Sequence, residues 1–124
     1  MTDDSRATAV AAAQAAAGKQ ASDIVILDVR ELIVITDYFV IASGSSERQV
    51  RTLVEEMEKT IRDRLDRKPV RREGEDGWGW VLLDYVDVVV HVFSEEQREY
   101  YDLERLWRDA PRPEWEESDA VSSG

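Results

Sequence analysis

The stretch WVLLDYVDVVVHVF, residues 80–93, constrains the fold more than any other part of the sequence. It holds two apolar runs rich in β-branched residues, and a short acidic segment, residues 84–87, separates them. This pattern predicts two antiparallel strands, residues 80–84 and 88–93, joined by a tight turn. The first residues of the second run, 88–90, are too apolar for a strand at a solvated edge. We therefore expect this strand inside a sheet.

The other predicted elements are both helices and strands. An alanine-rich run predicts a helix from about Ser5 to about Ala21. Ser46 and Ser94 each begin an S-x-x-Q capping box, which predicts the start of a helix. The helix after Ser46 carries apolar residues at helical spacing and is expected to stop before Pro69. Strands are predicted at residues 23–29 and 38–44, with a short edge strand within residues 70–79.

The last helix is expected to bury one face. The residues predicted to line that face are Tyr100, Leu103, Leu106 and Trp107. Together the elements predict an α/β (α+β) fold, with a mixed β-sheet flanked by helices.

The length of 124 residues fits one domain, which we expect to span residues 1–110. Residues 111–124 begin with Pro111 and Pro113 and are then polar and acidic. Such a segment buries too little apolar surface to fold, so a disordered acidic C-terminal tail is expected.

Charge and composition narrow the classes of function. The net charge of −11 argues against broad contact with DNA or RNA, because phosphates are met by clustered Lys and Arg. Negative charge suits a basic partner, although simple solubility explains it better on composition alone. The chain has no cysteine, no signal-peptide pattern and no apolar run near the ~20 residues that span a bilayer. A cytoplasmic protein with no membrane contact is therefore expected.

Three features could support catalysis, and each has a simpler explanation. The strand-to-helix junction at residues 43–46 could bind phosphate, but it lacks the lysine of a P-loop and fits a capping turn. Asp84 and Asp87 are three residues apart across a turn, where Asp is favoured, rather than two apart on one strand face. His91 is the only histidine and there is no cysteine, so a His-based metal site or a Cys–His pair cannot form.

The tryptophans suggest binding instead. Trp78 and Trp80 flank Gly79 beside a loop, so at least one of them is expected to be exposed, and exposed Trp is a typical interface anchor. The sequence thus favours a binding protein over an enzyme, with no catalytic residue, no metal and no cofactor.

Three blocks of this sequence resemble, in order and spacing, the ribosomal silencing factor family, also called RsfS or Iojap. They are residues 37–50 (DYFVIASGSSERQV), 79–93 (GWVLLDYVDVVVHVF) and 98–110 (REYYDLERLWRDA). The resemblance covers roughly residues 7–110. It implies binding to the large ribosomal subunit through a basic ribosomal protein, number fourteen of that subunit, so that the small subunit cannot join. It further implies repression of translation under nutrient limitation, a part in large-subunit maturation, and a homodimer.

The resemblance also implies a nucleotidyltransferase-like topology without the catalytic acids. The catalytic relatives of this fold carry a Gly-Ser turn that is closely followed by an acid-x-acid strand. Gly44 and Ser45 are present here, but no such acid pair follows them closely. A nucleotide-binding or nucleotidyltransferase-like enzyme is therefore the alternative function.

The resemblance places the partner contact on Trp80, Asp84 and Tyr85, with Asp87 and His91 near it. A basic partner would gain complementary charge from the two aspartates, and Trp80 and Tyr85 would supply apolar anchors. The family usually has glycine where this chain has Val86. Because a β-branched residue resists φ > 0, a turn type other than I′ is expected.

Overall fold

The computed structural model describes residues 3–116, which form one five-stranded sheet and four helices. The helices are α1 (Asp3–Gly18), α2 (Glu47–Leu65), α3 (Glu95–Tyr101) and α4 (Leu103–Leu106). The strands are β1 (Ser22–Asp28), β2 (Tyr38–Gly44), β3 (Arg71–Glu73), β4 (Trp80–Asp84) and β5 (Val88–Ser94). The strand order is β1-β2-β5-β4-β3, with β2 and β5 parallel and the other neighbours antiparallel. The predicted mixed sheet flanked by helices is confirmed.

The two ends of the sheet differ, and this difference positions the site. Because β2 and β5 run parallel, their last residues, Gly44 and Ser94, lie at the same end, where α2 and α3 both begin. We call this the helix-start end. The β4–β5 turn lies at the opposite end, which we call the turn end, and the chain just after α2 reaches it, since Arg67 donates to the Tyr85 carbonyl there.

One face of the sheet packs against α1 and α2. Alternate residues of β4 and the turn, Val81, Leu83 and Tyr85, point to this face, as the two-residue period of a strand requires. The helix α1 contributes only small side chains over most of its contact, so it can approach the sheet closely. The helix α2 contributes the residues that were predicted from their spacing: Val50, Leu53, Val54, Met57 and Ile61.

The opposite face is covered unevenly. Over β1 and β2, Leu27, Phe39 and Ile41 pack in a second cluster with Ala110, and Trp107 meets Phe39 edge-on at 5.5 Å. Toward β4, Trp80 and Leu82 remain half-buried. The β4 side of this face is therefore accessible to a partner.

The C-terminal ends of α2 and α3 are each set by an aspartate with a left-handed backbone conformation. Asp66 (φ 57°) ends α2, and its N–H donates to the Arg62 carbonyl. Asp102 (φ 48°) ends α3 in the same way, with its N–H on the Arg98 carbonyl. The helix α2 therefore ends before Pro69, as predicted, but Asp66 rather than the proline ends it.

The break at Asp102 also changes the predicted packed face of the last helix. Leu103 and Trp107 are half-buried and pack on the second cluster, as expected for core residues. Tyr100 and Leu106 are exposed, so the prediction is wrong for these two. A continuous helix would have kept the four side chains on one face, whereas the left-handed residue redirects the chain between them.

The packed structure continues beyond residue 110. The Asp28 N–H donates to the Pro111 carbonyl at 2.8 Å, and Trp115 packs against the core and accepts from Gln14 Nε2 at 3.1 Å. Disorder was expected from residue 111, but residues 111–116 lie against the domain. Residues 117–124 are outside the described residues. Within the described part of the chain, no helix is long and apolar enough to cross a membrane.

Candidate functional site

The β4–β5 turn is built around a valine with an unfavourable backbone conformation. Val86 has φ 78°, and the Asp87 N–H donates to the Tyr85 carbonyl at 3.0 Å, which together describe a γ-turn. The Asp84 carboxylate accepts from the Val86 N–H at 2.8 Å and supports this geometry. Asp87 does not have a positive φ, so the turn is not type I′, as expected.

Both carboxylates of the turn are paired with arginines of the same chain. Asp87 receives two hydrogen bonds from Arg67, at 2.8 and 3.3 Å, and Asp84 pairs with Arg71 at 3.2 Å. The guanidinium of Arg67 also donates to the Tyr85 carbonyl at 2.9 Å. The predicted acidic tip therefore offers a basic partner much less free charge than its sequence indicates.

Tyr85 is not an exposed anchor in this structure. Its side chain is 1% exposed and lies on the face of the sheet that packs against α1 and α2. Burial raises the pKa of its hydroxyl, which therefore stays protonated at neutral pH. The expectation that Tyr85 presents its ring to a partner is wrong, and the exposed apolar residue of the turn is Val86.

His91 is also buried, and it supports Trp80 from beneath. The imidazole is 5% exposed, and its Nδ1 accepts a hydrogen bond from Trp80 Nε1 at 3.1 Å. Burial lowers the pKa of His91 to about 4, so the ring is neutral at pH 7 and can accept this bond. The ring of Phe93 stacks on Trp80 with centroids 4.8 Å apart. These contacts fix the orientation of the indole.

Trp80 belongs to an aromatic ridge that crosses from β4 to α3. The Trp80 and Tyr101 ring centroids are 4.7 Å apart, and those of Tyr101 and Tyr100 are 5.0 Å apart. Tyr100 is 78% exposed and Tyr101 is 48% exposed. We call Trp80, Tyr100 and Tyr101 the aromatic ridge. It lies at the helix-start end, away from the turn that the sequence singled out.

The two tyrosines of the ridge were missed as interface residues, although the sequence holds a signal for them. Adjacent residues of a helix point about 100° apart. On a short helix with a narrow buried face, two adjacent tyrosines therefore favour an exposed position for at least one of them.

An acidic depression lies beside the ridge. Its volume is about 430 Å³, and it is lined by Asp23, Ser43, Glu95, Arg98, Glu99, Asp102 and Glu104. Arg98 is buried there and donates to Glu104 at 2.9 and 3.1 Å and to Ser43 Oγ at 3.1 Å. Among the described residues, Arg98 and Glu104 form the ion pair of this group, and the other carboxylates of the lining have no ion-pair partner. The negative charge available to a partner is thus next to the ridge rather than at the turn.

The Gly44–Ser45 junction is occupied by the chain itself. The Ser45 N–H and hydroxyl both donate to Gln49 Oε1, at 2.7 and 3.0 Å, and Ser46 caps α2 by accepting from the Gln49 N–H. Three donors of this junction are therefore already satisfied within the chain. Within residues 3–116, no group of three or more His, Asp or Glu side chains has the arrangement of a metal site.

Comparison with known proteins agrees with the resemblance. The model of the family described as ribosomal silencing factor during starvation (RsfS) matches residues 2–123. A ribosomal silencing factor RsfS of Bacillus subtilis (strain 168) is 44% identical over 103 residues, which cover 81% of this chain and 84% of that protein. The mitochondrial assembly of ribosomal large subunit protein 1 of Mus musculus is 38% identical over 92 residues, covering 72% of this chain and 40% of that protein.

Solved structures show the same architecture. A crystal structure of a Chromobacterium violaceum protein superimposes with a TM-score of 0.79 at 32% identity, covering 88% of this chain and 89% of that one. Sequence and fold therefore lead to the same conclusion: the chain belongs to the ribosomal silencing factor family.

Proposed function

We propose that the protein binds the large ribosomal subunit through a basic ribosomal protein at the subunit interface, number fourteen of that subunit. Bound there, it keeps the small subunit from joining and so represses translation under nutrient limitation. A part in large-subunit maturation fits the name of the mouse relative, which refers to assembly of the large subunit. The mechanism needs only occupation of a surface and no chemical step.

The observation that carries this proposal is the aromatic ridge beside a carboxylate-rich depression. Exposed Trp and Tyr dominate many protein interfaces, since they bury much area at a low cost in conformational entropy. The carboxylates beside Tyr100 and Tyr101 complement a basic partner and speed its association. The ridge and the depression together offer apolar anchors surrounded by negative charge.

The proposed contact keeps Trp80 and shifts its centre from the turn to the ridge. Asp84, on the same strand face as Trp80, lies at the border of the contact, and Asp87 is held back by Arg67. Tyr85 and His91 support the contact without facing the partner. Tyr85 packs under the turn, and His91 orients the Trp80 indole.

Subunit joining on a sucrose gradient tests the proposal. Adding the protein to separated subunits should reduce the fraction of joined ribosomes. Trp80→Ala should weaken binding to the large subunit by roughly 2 kcal/mol, because truncating a central aromatic anchor has this effect. Glu55→Ala is the control, since Glu55 is exposed on α2, on the face of the sheet opposite to Trp80. Unchanged subunit joining in the presence of the protein would refute the proposed function.

We further propose that the protein acts in the cytoplasm and forms a homodimer. Leu32, Val34 and Ile35 are exposed apolar residues of one loop, and such a patch favours association with a second copy. Light scattering coupled to gel filtration should give twice the chain mass of 14.2 kDa. A mass of one chain across the accessible concentration range would rule out the dimer.

A further inference from the structure

The basic residues of this acidic chain are concentrated in one segment. Residues 59–72 contain seven of the sixteen Lys and Arg residues and only two acidic residues. This basic segment therefore carries a formal charge of +5, and the rest of the chain carries −16. A separation this large gives the molecule a positive and a negative side despite its net charge of −11.

The fold places the basic segment away from the aromatic ridge. The segment consists of the last two turns of α2, the connection after it, and the start of β3. Arg67 reaches the turn end, and Arg71 pairs with Asp84 at the same end of β4. Trp80 lies at the other end of β4, next to α3. A partner seated on the ridge leaves the basic segment accessible.

Several cations of the segment are already neutralised, and two are not. Five of the seven form ion pairs with carboxylates of the chain: Lys59, Arg62, Arg67, Arg71 and Arg72. Arg64 and Lys68 are exposed, and neither forms an ion pair with any carboxylate in the part of the chain that the structure describes. Within residues 3–116, the guanidinium of Arg64 donates to the neutral amide of Gln14, at 2.8 Å.

The helix dipole explains the cation at one of these two positions but not at the other. Arg64 lies in the last turn of α2, where a cation is stabilised by the helix dipole. Lys68 lies beyond the left-handed Asp66 that ends the helix, so the dipole does not account for it. An exposed cation without a carboxylate partner, four residues from a second one in the chain, fits a phosphate ligand.

We propose that Arg64 and Lys68 contact the phosphate backbone of ribosomal RNA that borders the protein partner. This inference rests on the proposed function, because it applies to the chain when it is seated on the large subunit. A protein with a charge of −11 is repelled by ribosomal RNA unless its positive side faces the phosphates. The contact would orient the protein on the subunit without reading any base.

Binding measured on two targets tests the inference. The double variant Arg64→Gln/Lys68→Gln is compared with the parent on purified large subunits and on the isolated basic ribosomal protein, across a series of salt concentrations. On large subunits, the slope of log affinity against log salt should fall by one to about two, and the affinity should fall about tenfold. On the isolated protein, which carries no phosphate, both quantities should be unchanged.

The control variant is Lys19→Gln/Arg48→Gln, which removes the same charge from exposed positions outside the basic segment. It should behave like the parent on both targets. The inference is overturned if the Arg64/Lys68 variant keeps the parent's salt slope on large subunits, or if it weakens equally on the isolated protein. If the parent itself binds neither target, the proposed function fails, and this inference fails with it.

Discussion

Val86 stores backbone strain in the β4–β5 turn. A positive φ in a non-glycine residue costs on the order of 1–3 kcal/mol, and the branched Val side chain is poorly suited to it. The side chain is 59% exposed, so little packing offsets this cost. Asp84 and Arg67 hold the turn in place through the Val86 N–H and the Tyr85 carbonyl.

Val86→Gly should therefore stabilise the protein by about 1 kcal/mol. Glycine relieves the strain but loses more backbone entropy on folding, by roughly 0.5–1 kcal/mol, which limits the gain. Urea unfolding followed by circular dichroism measures the difference. Val86→Ala is the control, with a smaller gain expected, since alanine removes the branch but keeps the unfavourable φ. A loss of stability in Val86→Gly would show that the turn is not strained.

His91 should make stability depend on pH in a narrow window. Its pKa is about 4 when folded, against a usual value of 6.5, because burial opposes the charged ring. The unfolded chain thus binds a proton that the folded chain does not, and stability falls as pH decreases from about 6.5 toward 4. Between neutral pH and about pH 5 the loss should be about 2 kcal/mol.

The contribution of His91 is isolated by comparison with His91→Gln. Glutamine can still accept the Trp80 N–H but does not titrate. Urea unfolding of both proteins at each pH gives the difference, and titration of the surface carboxylates cancels in it. Equal pH dependence in the two proteins would mean that the imidazole is not buried as the structure has it.

Arg67 joins three elements that are distant in the sequence. It follows α2, donates to Thr8 Oγ1 on α1 at 2.8 Å, and binds Asp87 and the Tyr85 carbonyl in the turn. Its guanidinium also lies over the Tyr85 ring, at 5.7 Å from the centroid. One side chain therefore ties both helices of the packed face to the turn of the β4–β5 hairpin.

Arg67→Ala should destabilise the protein by about 2 kcal/mol. The variant leaves the half-buried Asp87 carboxylate without its arginine and removes one of the two donors to the Tyr85 carbonyl. Arg62→Ala, at an exposed position of α2, should change stability by less than ~0.5 kcal/mol. Hydrogen exchange should also speed up at the turn in Arg67→Ala alone. Equal stability of the two variants would contradict the role given to Arg67.

Local signals in the sequence were enough to predict most elements. The helix starts after Ser46 and Ser94 and the break between β4 and β5 depend on neighbouring residues only, and all three are confirmed. The helix ends at Asp66 and Asp102 were missed, because an aspartate gives no clear sign that it will adopt a left-handed conformation. Glycine, the usual signal, is absent from both places.

The candidate site was harder to predict, because contacts between residues far apart in the sequence determine which of its charged side chains are paired. Asp87 meets Arg67 across twenty residues, and nothing near Asp87 in the sequence reveals this pair. The burial of Tyr85 could have been predicted, since it continues the alternation of Val81 and Leu83 toward the packed face. The ridge depends on contact between β4 and α3, which only the fold establishes.

At the scale of the whole molecule, the segment that follows α4 covers the β1 edge of the sheet. Residues 111–116 lie beside β1, where the Pro111 carbonyl accepts the Asp28 N–H at 2.8 Å. Trp115 packs on the core between the sheet and the helices α1 and α2, and its carbonyl accepts a hydrogen bond from Gln14 of α1. The segment thus covers an edge strand whose donors would otherwise be free to pair with another chain.

A chain ending at Ala110 should be less stable than a chain ending at Glu116 by about 2 kcal/mol. The shorter chain loses the apolar burial of Trp115 and the hydrogen bond at Asp28. Trp115→Ala in the longer chain should lose about half as much, because it keeps the Pro111 contact with β1. Urea midpoints measure all three, and light scattering should show more association of the shorter chain through its uncovered β1 edge. Identical midpoints for the two lengths would mean that residues 111–116 do not contribute to the folded domain.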